Sequence, residues 1–296
     1  MALPPITQTH QGALVQDILT VAIYLAAGGG AGLLAGLFGI GGGLLMVPVL
    51  LFTLSATVPA GVVGPMALGT SLTVIIVTSA LASRQQFVLG RLREPFGRAT
   101  LMLVACIAAG VLLGSQVSTR MAHAPLMACI AIFQVAVAAW MFCRSFDLGT
   151  KRPDDAVPAQ DRLGGRASRL FLLLTGTVSA IGGISGATLM VPYMRWKGIT
   201  QSEATALATH LGCVIGMSGF ISYGLLSKPA LPVPWSIGYV SLPAFVAMAL
   251  GSAALVRFGA RLSSRLDPRL LTRCFSALLL ITALKLLSSL AHQACG

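Results

Sequence analysis

From Ile18 to Ser83 the chain carries no charged side chain, and this long uncharged run narrows its possible folds more than any other feature. A hydrocarbon core about 30 Å thick is crossed by roughly 20 apolar residues in a helix, so the run allows more than one passage through a bilayer. Charged residues make up only 9% of the 296 positions, and the mean hydropathy is +0.87. A soluble domain carries about 25% charged residues. The expected fold is therefore an all-α polytopic membrane protein, with the lipid bilayer as its main partner. Apolar segments are expected near 18–55, 60–83, 96–119, 125–143, 170–196, 203–226, 235–258 and 269–290. Helix starts are read at Glu94-Pro95, Ala124-Pro125 and Asp267-Pro268, and Thr200 with Glu203 forms a capping-box pattern. No Lys or Arg precedes Arg84, so the basic leader of a secretory signal is missing and the N-terminus is expected to be retained.

The long run contains a motif that recurs. GLLAGLFGIGGGLLMVP at Gly32 to Pro48 matches GTVSAIGGISGATLMVP at Gly176 to Pro192 in eight of 17 positions, at a constant offset of 144. A second pair, ALGTSL at Ala67 to Leu72 and ALATHL at Ala206 to Leu211, sets Ser71 opposite His210. Two related halves follow. They are a first transmembrane repeat over 1–143, a cytoplasmic linker over 144–169 that holds four of the eight acidic residues, and a second repeat over 170–296.

Charge decides how the halves face. If all eight segments cross once, the basic residues divide weakly between the two sides. If the first and fifth segments instead dip in and return at their glycines, 17 of the 20 Lys and Arg gather on one side. Only Arg120, Lys228 and Lys285 remain opposite. The positive-inside rule prefers the second arrangement, which gives two inverted repeats, each starting with a glycine-broken, re-entrant segment. It places both termini outside, on the face opposite the basic loops, which is the periplasmic face once the chain is set in the bacterial inner membrane that the resemblance below implies.

Irregular backbone at membrane depth is tolerated where it is buried in protein or lines a wet cavity. Gly39, Gly41, Gly42 and Gly43, and Gly182, Gly183, Ser185 and Gly186 with Ala187, expose amides at the start of a half-helix. A helix N-terminus with free donors suits an anion. Thr70 and Ser71 in one half, and Thr188, Thr209 and His210 in the other, add hydrogen-bond donors. The candidate substrate site is thus Gly41, Gly42, Gly43, Thr70, Ser71, Ser185, Gly186, Ala187, Thr188, Thr209 and His210. Gly28, Gly32 and Gly36 form a small-residue ladder that reads as helix packing, where Gly28→Ala should be mild. Val at Gly42 or Gly186 should abolish transport.

The paired glycine motifs followed by MVP, with the ALGTSL-type motif in each half, resemble the TauE/SafE sulfite exporter family of bacterial inner-membrane transporters. The resemblance spans essentially the whole chain and implies movement of sulfite, sulfoacetate or a similar small anion. The expected mechanism is alternating access, with the halves rocking around an anion near the midplane, in the export direction. Ser185, Ala187 and His210 stand where the first half has Gly41, Gly43 and Ser71, so the two sides differ chemically.

Other classes fit less well. The net charge of +12 comes from short basic runs between apolar segments, which excludes a nucleic-acid face. The six cysteines include no CxxC pair, so neither a metal site nor a disulfide framework is expected, and no cofactor is called for. An anion channel or structural membrane protein is the alternative. A Ser185–His210 dyad of an intramembrane serine protease is a weaker one.

Overall fold

The computed structural model describes residues 6–38, 42–88, 98–144, 163, 165–229, 231, 233–262, 273, 276–277 and 279–288. The first half contains α1 (Ile6–Phe38), α2 (Gly43–Leu54), α3 (Ala60–Val88), α4 (Arg98–Arg120) and α5 (His123–Arg144). The second contains α6 (Arg166–Gly182), α7 (Ala187–Trp196), α8 (Gln201–Gly219), α9 (Leu242–Leu262) and the short α10 (Leu279–Ser288). Among the described residues, six helical stretches are long and apolar enough to cross a membrane, and α6 is only slightly shorter, at 17 residues.

The two apolar segments with glycine motifs are broken where those motifs lie. Gly42 and Gly186 have φ of 68° and 70° and stand immediately before α2 and α7. That left-handed conformation disfavours any residue with a Cβ. The chain then doubles back. A Cβ on Gly42 would lie 2.4 Å from the Ala31 carbonyl oxygen, and one on Gly30 would lie 3.1 Å from Leu45 Cδ2. In the second half Gly186 faces Ser179 and Thr175, while Tyr193 stacks on Phe171 with ring centroids 3.9 Å apart. Pro48 and Pro192 occupy the same position in α2 and α7 and remove one intrahelical hydrogen bond from each.

The helices exchange partners between halves. α1 lies parallel to α9, with Gly28 against Met248 and Gly32 against Ser252, where added Cβ atoms would come within 2.2 and 2.3 Å of backbone oxygens. In the reciprocal seam α6 lies parallel to α4, with Gly176 against Ile107, Gly110 against Leu173 and Gly114 against Thr177. Glycine lets such backbones touch, which is how helices associate where lipid supplies no hydrophobic drive. At the centre α3 and α8 cross antiparallel: Leu72 meets Gly216 and Gly219, Ser79 meets Gly212, and Ser83 meets His210. Within their apolar windows 78% of α3 and 61% of α8 with its extension is buried, against 33 to 39% of α1, α4, α5 and α9. The outer helices therefore present Leu19, Leu101, Leu113, Leu174 and Leu250 to their surroundings, as lipid-facing surfaces do.

Several boundaries differ from the sequence expectation. α1 begins at Ile6, well before residue 18. The segment expected from residue 235 becomes helical only at Leu242, because Ser236–Ile237 and Val240–Ser241 pair as a small antiparallel hairpin turned at Gly238, φ 56°. α8 continues as a π-helical turn, Phe220–Leu226. Thr200 caps α8 as read, accepting from the Glu203 amide at 3.2 Å and donating to Glu203 Oε2 at 2.9 Å. Pro125 lies in the first turn of α5. The starts at Glu94-Pro95 and Asp267-Pro268, and most of the linker, lie outside the described residues. Cys106, Cys129 and Cys213 are free thiols.

Candidate functional site

The two breaks meet. A Cβ on Gly43, the first residue of α2, would lie 2.6 Å from the Gly183 carbonyl oxygen and 3.1 Å from Ile184 Cα. Gly183 in turn touches Val47 of α2 and Leu68 of α3. The Ser71 hydroxyl donates to the Gly183 carbonyl at 2.8 Å and is fully buried. Leu68, Ser71 and Ile75, the α3 residues that face this junction, occupy the middle turns of that helix, and Gly212 and Ile215 hold the same place in α8.

Helix geometry leaves the first amides of α2 and α7 without an intrahelical acceptor. The amides of Leu189 and Met190 are the first in α7 to find one, the Gly186 carbonyl, at 3.0 and 2.9 Å. Ala187 and Thr188 therefore open the helix with donors to spare.

Apart from Ser71 and Thr70, which bond to other segments, the described hydroxyls around the breaks are of two kinds. Most bond back to their own helix, as Thr73 does to Gly69 O, Thr175 to Phe171 O and Thr209 to Thr205 O, at 2.7, 2.8 and 2.6 Å. Three do not: Ser79 Oγ, Ser179 Oγ and Thr188 Oγ1 are buried without a hydrogen-bond partner. All three belong to the second break. Ser179 Oγ lies 2.9 Å from where a Gly186 Cβ would be, Ser79 lies against Gly212 beside the Ser185 carbonyl, and Thr188 is in the first turn of α7. An unpaired buried hydroxyl costs about 1–3 kcal/mol, so three around one helix N-terminus call for an explanation. Gln134 of α5 is likewise buried with both amide atoms unpaired, next to Phe133, whose ring approaches Gly182.

The sequence-derived residues sort accordingly. Gly42, Gly43, Ser185, Gly186, Ala187 and Thr188 come together at the junction, with Ser71 fastening it. Gly41 lies outside the described residues. Thr70 accepts a hydrogen bond from the Ser241 amide at 3.0 Å and anchors the 236–241 hairpin. Thr209 bonds along its own helix, and His210 lies further along α8, its Nδ1 3.3 Å from Ser83 Oγ. Ser79 and Ser179 were missed. Ser179 carried a readable signal, since it stands where the first repeat has Ala35, as Thr188 stands where that repeat has Leu44.

A polar network braces the second break from the side. Tyr223, fully buried in the π-helical turn, donates to the Ala180 carbonyl at 3.0 Å and bonds Ser118 of α4, while Ser222 bonds Ser115. Irregular helical turns of this kind occur often at functional sites.

Apolar helices packed through glycine seams around two touching breaks define a polytopic membrane protein of broken-helix design. The chain belongs to the TauE/SafE sulfite exporter family, whose model matches residues 24–286. It is similar to a probable membrane transporter protein of Haemophilus influenzae, 28% identical over 271 residues that cover 90% of this chain and 97% of the relative. A probable membrane transporter protein of Methanocaldococcus jannaschii is 26% identical over 277 residues, covering 91% and 96%. A further Haemophilus influenzae relative with the same description is 28% identical over 264 residues. No solved structure matches the chain. The chain is a membrane transporter rather than an enzyme, and the Ser185–His210 protease reading falls away.

Proposed function

We propose that this transporter carries a small oxyanion, such as sulfite or an organic sulfonate, and exports it across a bacterial inner membrane. The observation that carries this reading is the set of unpaired hydroxyls, Ser79, Ser179 and Thr188, around the N-terminus of α7. Donors without acceptors at the positive end of a helix suit a ligand that brings only acceptors and negative charge. No Lys or Arg lies near the break in sequence, so the anion is held by dipoles and hydroxyls and can leave readily. The site is asymmetric, with Ser71 committed to the Gly183 carbonyl on the first-half side and the free donors on the other.

The inverted orientation of the halves has two independent supports. One is the positive-inside count, which sets both termini in the periplasm. The other is the direction of the packed helices. α1 and α3 each run antiparallel to α2, and α6 and α8 each run antiparallel to α7. Because α3 and α8 cross antiparallel, α1 and α6 enter from opposite sides.

The seams also revise how the carrier moves. Rocking the two halves as rigid bodies would shear the glycine contacts of α1 with α9 and of α6 with α4. The units that move together are these exchanged pairs, turning about the α3–α8 crossing. The 236–241 hairpin is fastened to Thr70 and, through the Tyr239 amide, to the Tyr223 carbonyl, and the positive-inside count supports reading it as the closure of the periplasmic side. Export of an anion from a negative-inside cell gains about 2.3 kcal/mol per charge per 100 mV, so no coupling ion is required.

Flux into proteoliposomes with sulfite, sulfate, thiosulfate, sulfoacetate and small carboxylates tests the proposal. Saturable flux of at least one sulfur oxyanion or sulfonate, accelerated by the same anion on the far side, is expected. Non-saturating flux without that acceleration would make the protein a channel, and no flux of any of them would remove the reading.

A further inference from the structure

Behind α7, a cavity of about 430 Å³ lies between α5 and α7 and reaches the junction at Thr188, walled by Phe133, Trp140, Phe171, Leu189, Tyr193 and Trp196. Its polar lining is slight: Tyr193 Oη is taken up by Ser168 at 2.8 Å, and Thr188 Oγ1 at the inner end is itself buried. From Thr188 to Trp196 the wall runs eight residues along α7, about 12 Å at 1.5 Å per residue. That is close to the depth of one leaflet, about 15 Å of hydrocarbon.

The outer end has a different chemistry. Trp196 is 79% exposed, and Lys197 Nζ sits 5.4 Å from its ring centroid and 5.8 Å from that of Tyr193. Arg195 precedes this pair, and Arg169 lies one residue from Ser168, the hydrogen-bond partner of Tyr193. Aromatic rings and cations at one end of an apolar slot match the boundary between headgroups and acyl chains.

We propose that this cavity holds one acyl chain of an anionic phospholipid, with its phosphate among Lys197, Arg195 and Arg169. An acyl chain matches the apolar slot and an anionic headgroup is attracted to the basic outer end, so an anionic lipid complements both ends of the site. The bound lipid would support α7 from behind, directly under the break.

The three tryptophans allow a direct test. With Trp196→Phe and Trp235→Phe in place, Trp140 reports on the cavity in proteoliposomes of zwitterionic phosphatidylcholine. Chain-brominated phosphatidylglycerol should quench it at a mole fraction about fivefold lower than chain-brominated phosphatidylcholine, the scale set by one or two surface cations. Lys197→Gln with Arg195→Gln and Arg169→Gln should bring the two lipids to equal potency. Ala136→Leu, which adds bulk to the α5 wall of the cavity that Ala136 helps to line, should reduce quenching by both. Both sets of substitutions should leave the unquenched Trp140 emission maximum unchanged if the fold is intact. Equal quenching by the two lipids in the parent protein, or a preference that survives loss of all three cations, would overturn the assignment. So would quenching relieved by a transported anion, which would place the cavity on the substrate path.

Discussion

The hydroxyl of Ser71, on the central helix of the first half, donates to the carbonyl of Gly183, in the break of the second, at 2.8 Å. This bond joins the halves where both are irregular, and it satisfies a carbonyl that no helix accommodates. Ser71→Ala should therefore cost about 1–3 kcal/mol, the penalty of a buried acceptor left unpaired. Thermal unfolding in detergent measures it. An unchanged midpoint would show that the carbonyl finds another partner.

The unpaired hydroxyls predict the opposite pattern. Ser79→Ala, Ser179→Ala and Thr188→Val remove buried hydroxyls that have no hydrogen-bond partner in the protein, so stability should hold or rise. Binding should weaken by about tenfold or more for each, since a hydrogen bond to a charged group contributes about 1.5–3 kcal/mol. Half-saturating anion concentration and melting temperature, measured on the same preparations, separate this from a structural role. A loss of stability without loss of affinity would place these residues in packing.

Gly28 was expected to tolerate Ala, and the seam with α9 contradicts that. A Cβ there would come within 2.2 Å of the Met248 carbonyl oxygen, and one at Gly32 within 2.3 Å of that of Ser252. Backbone cannot yield as a side-chain tip can. Gly28→Ala and Gly32→Ala should each destabilise by about 1–3 kcal/mol, the usual cost of overpacking. Chemical denaturation in mixed micelles gives the value.

The proposed closure by the 236–241 hairpin depends on Gly238, whose φ of 56° and surrounding carbonyls of Gly224, Tyr223 and Ser227 leave no room for a side chain. Gly238→Ala should loosen the hairpin and expose the junction. Thiol labelling of a cysteine placed at Ser241 should accelerate by an order of magnitude or more if local opening becomes about 1.4 kcal/mol easier. Unchanged labelling would mean that the hairpin is not what closes this side.

How much of this was legible in sequence depended on where the information sits. The breaks were visible because Gly42 and Gly186 repeat at a fixed offset and because only glycine adopts the left-handed backbone cheaply. The exchanged pairing of α1 with α9 and α4 with α6 was not visible: a small-residue ladder announces a close neighbour without saying which helix it is. Thr70 and Ser71 were read as substrate ligands because a serine or threonine beside a break offers a donor either way. Whether that donor meets an anion, a carbonyl or its own helix is settled by tertiary packing, which sent Thr70 to the hairpin and Ser71 to Gly183. Ser79 was hidden for the same reason, being one hydroxyl among many along α3.

The central claim is that an anion rests at the N-terminus of α7, and Gly186→Val tests it most directly. A side chain there would meet Ile215 and Ser179 and force a φ of 70° on a β-branched residue, closing the space and displacing the free donors. Counterflow of radiolabelled sulfite or sulfoacetate in proteoliposomes, on protein shown by gel filtration to be inserted and monodisperse, is the measurement. The account predicts saturable exchange in the parent protein and none above background in Gly186→Val. Exchange at the parent rate in that variant would contradict it.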